Sequence, residues 1–97
     1  MTHQVGTFRY PDLDARRPVC VGDVFDVEAE WDLFEGPIRG RMSVEERSVL
    51  FEEERPDGHV GTLIEMSLKG LARATGLAVR NGTSELQEYV PAIFEMY

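Results

Sequence analysis

Nucleophilic catalysis needs a Ser, Thr or Cys beside a base, and the reactive candidates here are one thiol, Cys20, and two imidazoles, His3 and His59. Cys20 lies in the apolar run Pro18-Val19-Cys20-Val21, where a free thiol packs as a small hydrophobe. Nothing in that run guarantees the neighbouring cation that a thiolate needs. His3 sits by the N-terminus and His59 follows a turn sequence, so spacing ties neither imidazole to the thiol. Metal ligation is not indicated either. No His-x-x-x-His pair or EF-hand loop occurs, Glu52, Glu53 and Glu54 point in different directions on a strand or turn, and Asp12 and Asp14 form a lone pair in a loop. The glycines match neither nucleotide-binding pattern. Acid-base work by a carboxylate requires a raised pKa, and Glu65 and Glu88 fall on polar faces. The expectation is a non-catalytic chain without metal or cofactor.

The carboxylates remain, and their distribution is uneven. Residues 23 to 54 hold eleven acids against Arg39, Arg41 and Arg47, while the rest of the chain holds seven charges of each sign. The whole net charge of −8 therefore belongs to one stretch. Such a chain repels phosphate at long range, which argues against direct nucleic-acid binding, and a strip of carboxylates attracts basic protein surfaces.

The elements that position these acids follow from periodicity. Phe25, Val27, Ala29, Trp31 and Leu33 alternate with Asp26, Glu28, Glu30 and Asp32, the period-two signature of a half-buried strand. After Glu35-Gly36-Pro37 the alternation resumes from Ile38, so a long acidic hairpin over about 24–34 and 38–46 is predicted. Setting Leu33 opposite Ile38 and Trp31 opposite Gly40 would pair Asp32 with Arg39 and Glu30 with Arg41. That register leaves Asp26 and Glu28 bare, with Glu45, Glu46, Glu52, Glu53 and Glu54 beyond them, and these seven carboxylates are the predicted partner-binding surface.

Ser48–Glu52 reads as a third strand or a continuation, ending in the turn sequence Pro56-Asp57-Gly58. From there Val60, Leu63, Ile64, Leu68, Leu71 and Thr75 recur at helical spacing beside a stripe of Glu65, Lys69 and Arg73. An amphipathic helix over about 59–75 fits this pattern, with Gly76 as its left-handed terminator. A strand over 60–68 competes with it, because Val60, Thr62, Ile64, Met66 and Leu68 also alternate. A short strand from Leu77 to Arg80, a brief helix capped by Ser84 and Gln87 and carrying Tyr89, and an apolar tail after Pro91 complete the plan. The predicted fold class is thus α+β: a small antiparallel sheet built on the hairpin and packed against one amphipathic helix, in a single domain spanning 1–97.

With one cysteine no intramolecular disulfide forms, and neither a signal-like leader nor eighteen consecutive apolar residues is present; a cytoplasmic chain with no membrane segment is expected. Three functions fit. The first is an interaction or regulatory protein docking a basic protein surface through the bare carboxylates. The second is a small-molecule binder or modest enzyme with a pocket between sheet and helix near Phe25, Trp31 and Met42. The third is a nucleic-acid mimic that blocks a DNA- or RNA-binding protein. Ile93, Phe94, Met96 and Tyr97 either complete the core or, with an open sheet edge, support a homodimer.

Overall fold

The computed structural model describes residues 3–32, 35–55, 57–81 and 88–97. Among these the period-two pattern dominates far more of the chain than the sequence suggests. Nine strands form: β1 (Gln4–Tyr10), β2 (Ala15–Cys20), β3 (Val24–Ala29), β4 (Ile38–Val44), β5 (Ser48–Glu54), β6 (Val60–Ser67), β7 (Leu77–Asn81), β8 (Glu88–Pro91) and β9 (Ile93–Met96). A 3-10 turn at Pro11–Leu13 follows β1, and one short helix, α1 (Leu68–Arg73), follows β6. The strands make two antiparallel sheets, ordered β6-β5-β4-β3-β7-β8 and β2-β1-β9. The expected α+β plan, one small sheet packed on one amphipathic helix, is therefore corrected to a mostly β fold of two sheets.

The helix expected over 59–75 is replaced by β6 and the six residues of α1. Positions 60, 64 and 68 satisfy both a period of two and a period near 3.6, so local pattern cannot decide between them; the neighbouring strand does. Asp57, Gly58 and His59 close the β5–β6 turn, with Gly58 at φ +84° and the Gly58 N–H donating to the Arg55 carbonyl at 3.0 Å. The ladder then sets Ile64 across from Phe51 and Met66 across from Val49, putting the apolar residues of both strands on one face. Ser67 caps α1 by accepting the Gly70 N–H at 3.0 Å, and the Ala74 N–H closes its far end on the Leu71 carbonyl.

The hairpin exists, but its register lies four residues from the predicted one. Val27 faces Gly40, Glu28 faces Arg39 and Asp26 faces Arg41. An even shift keeps Phe25, Val27 and Ala29 inward while changing every cross-strand partner; Leu33 lies outside the described residues. Both ladders of the strand end at Ala29, opposite Ile38 of β4 and Leu77 of β7, and the Glu30 N–H then turns to the Gly76 carbonyl at 2.9 Å. The expected C-terminal helix is contradicted where it can be compared, since Tyr89 belongs to β8; its capping residues Ser84 and Gln87 lie outside the described residues. The apolar tail becomes β9, paired with β1 so that Phe94 faces Phe8.

Phe8 joins the sheets. Its ring meets Tyr10 edge-on at 5.2 Å, Phe25 of β3 at 5.3 Å and Phe94 of β9 at 5.2 Å, the edge-to-face and tilted geometries aromatic quadrupoles favour. Val19, Val27, Ala29 and Leu71 are completely buried around this cluster. Among the described residues no helix is long and apolar enough to cross a membrane.

Candidate functional site

Side chains that alternate outward along β3, β4, β5 and β7 meet on the exposed face of the six-stranded sheet. Glu52 faces Arg41, Arg41 faces Asp26, and Asp26 receives Arg80 at 3.4 Å, giving a row of alternating charge across four strands. In the next row Arg39 Nε donates to Glu28 Oε2 at 2.9 Å, and its guanidinium lies 4.5 Å from the centre of the Tyr89 ring. The Glu28 bond raises the Arg39 pKa further above its ordinary range. Asp26 and Glu28, bare in the predicted register, thus both carry arginine partners.

The other predicted partner-binding residues are dispersed. Glu45 and Glu46 are exposed in the β4–β5 turn, where Glu45 Oε2 is 3.5 Å from Ser48 Oγ. Glu54 is exposed near the opposite end of β5, and the half-buried Glu53 carboxylate lies over Gly61. A strand of seven residues separates the two ends, about 20 Å. The predicted ligand-pocket residues also part company. Met42 is fully buried, Phe25 packs on Phe8, and Trp31 borders a depression that neither of the others lines. Cys20 ends β2 in one sheet, while His59, exposed and 3.4 Å from Asp57, precedes β6 in the other.

Beyond Ala29 the chain makes a second kind of surface. Trp31 tilts against Phe51 with ring centres 5.8 Å apart, and its indole N–H donates to the Thr75 carbonyl at 2.9 Å. With the Glu30–Gly76 bond, this pins the segment after α1 to the end of β3. Gly76 is required there: its φ is +74°, and a Cβ would stand 2.5 Å from the Glu30 carbonyl oxygen. Glycine enters this backbone region without steric cost.

Two depressions flank the pinned segment. One, of about 570 Å³, opens where the row Glu28–Ala78–Pro91 runs across β3, β7 and β8. Ala78 and Pro91 are too small to fill the space between Tyr89 on one side and Ile93 with the Pro11–Asp12 turn on the other. The second, of about 390 Å³, lies between Trp31, Asp32 and Met66. Glu30, Arg73, Ala74 and Thr75 line both, so the two adjoin across the pinned segment as the halves of an interrupted groove. Its apolar floor contains the exposed Ile93, and its rim carries Asp12, Glu30 and Asp32 against Arg73. No ion pair of these four charges is found among the described residues, in contrast to Asp26 and Glu28 on the sheet.

Sequence reasoning missed this groove because its walls come from positions 11 to 93 and meet only through β3–β7 and β7–β8 pairing. The expected register assigns Arg41 and Arg39 to Glu30 and Asp32, whereas they face Asp26 and Glu28, and Tyr89, expected on a helix, lies on β8. Arg80 was the available signal: an outward arginine on a strand next to β3 would have claimed Asp26. No protein-family model, curated protein or solved structure matches this chain.

Proposed function

We propose that this chain is a non-catalytic cytoplasmic binding protein that docks a basic segment of a partner protein into the acid-rimmed groove. The observation that supports it is a contrast in pairing: Asp26 and Glu28 on the sheet have arginine partners, whereas Asp12, Glu30 and Asp32 converge on the groove with no ion pair among the described residues. Carboxylates held near low-dielectric walls attract cations more strongly than the same groups on a flat surface. An extended segment supplies both a cation for the rim and aliphatic surface for the floor, as lysine and arginine stems do.

Trp31 is the only tryptophan and borders the groove, so its emission reports occupancy. Titration with extended lysine-rich peptides is expected to shift that emission, with an affinity that falls as salt screens the rim. Replacing Glu30 and Asp32 together by Lys abolishes the response, while replacing Glu45 and Glu46 by Lys leaves it intact. Loss through the second pair alone assigns docking to the β4–β5 turn; no response to any basic peptide removes the proposal. A second reading, a small-molecule binder, is favoured by the 570 Å³ volume, within the range of ligand sites. A metabolite panel that raises the melting temperature where peptides do not would select it.

A further inference from the structure

Resting on the reading above, we infer that the occupant of the groove is the C-terminal end of a peptide whose last residue is basic. Arg73 and Glu30 both line the two adjoining depressions, yet no ion pair between them is found among the described residues. A surface that merely attracts cations gains nothing from a guanidinium on the rim of both depressions, because that charge repels the ligand's own. An occupant carrying both signs satisfies each group. A terminal carboxylate meets the forked donors of Arg73, and the side-chain cation of the same residue meets Glu30 and Asp12.

The remaining geometry suits a chain end rather than a free amino acid. The stem of a terminal Lys or Arg covers Ala78, Pro91 and Ile93, and a depression of about 570 Å³ is larger than one amino acid fills, leaving room for the residues before it. Arg39 does not compete for the carboxylate, being held by Glu28 and stacked on Tyr89.

The test uses two acetylated hexapeptides ending in leucyl-lysine, one with a free carboxylate and one amidated, titrated into the full chain with Trp31 emission as readout. The free acid is expected to bind about tenfold more tightly, the scale of one added charged hydrogen bond. Arg73→Met erases that difference, and Arg73→Lys restores part of it, which separates carboxylate capture from support of the end of α1. Glu30→Gln weakens both peptides and keeps their ratio. Equal binding of acid and amide overturns the chain-end assignment while the docking of basic segments stands; no binding of either removes both. Free lysine binding as tightly as the hexapeptide also overturns it, in favour of an amino-acid site.

Discussion

Gly76→Ala is the sharpest perturbation of the segment that forms the groove. Residue 76 has φ +74°, and a side chain in left-handed backbone costs about 1–2 kcal/mol. The added Cβ would also stand 2.5 Å from the Glu30 carbonyl oxygen, a backbone atom that cannot swing aside, which adds about 1–2 kcal/mol of overpacking. The total, about 2–4 kcal/mol, corresponds to a fall in Tm of roughly 10–25 °C for a domain of this length. Gly58→Ala is the internal control, because Gly58 has φ +84° with nothing within 4 Å of a Cβ; it carries the backbone term alone, about 1–2 kcal/mol. Thermal unfolding followed by circular dichroism, backed by urea titration, measures the gap between the two variants. If Gly76→Ala is no more destabilising than Gly58→Ala, the close approach of the Ala74–Gly76 segment to Glu30 is wrong, and so is the groove built on it.

Trp31→Phe removes the indole donor to Thr75 while keeping a ring against Phe51, so a loss of about 0.5–1.5 kcal/mol in urea unfolding is expected. Asp26→Asn combined with Arg80→Met in a double-mutant cycle should give a coupling of only about 0.2–1 kcal/mol, since both side chains are about a third exposed or more; a zero coupling at low salt would contradict the pairing. Burial pushes the Tyr10 hydroxyl above its usual pKa near 10, with Arg17 opposing. A pKa raised in the folded state adds stability that is complete below the unfolded value and lost as pH rises through the folded one. Stability should therefore fall above pH 10, and Tyr10→Phe should flatten that fall.

The sequence was most legible where one face of a strand is buried on its own account. Phe25, Val27 and Ala29, like Gly40, Met42 and Val44, alternate cleanly and lie inward. Register was not legible, because parity tolerates any even shift and the choice is made by β7, a strand some fifty residues away. The helix expected at 59–75 failed for the same reason, since its apolar positions suit either period and β5 selected the strand. The alternative strand has the turn in its favour, since Asp57 and a left-handed Gly58 close a hairpin. For the site, Trp31 lies beside a depression but without Phe25 and Met42, and Asp26 and Glu28 look bare when charge is counted along the chain and not across the sheet. Asp12, Arg73 and Tyr89 carry no local signal at all, for they meet only once both sheets are formed.

The most direct measurement is the map of backbone amide shifts in nitrogen-15-labelled protein as a lysine-terminated peptide is added at low salt. Changes concentrated at Asp12, Glu30, Trp31 and residues 73 to 78, with Tyr89 and Ile93, are predicted. Changes centred on Glu45, Glu46 and Arg47 instead, or spread evenly over the charged face of the sheet, would contradict docking in the groove.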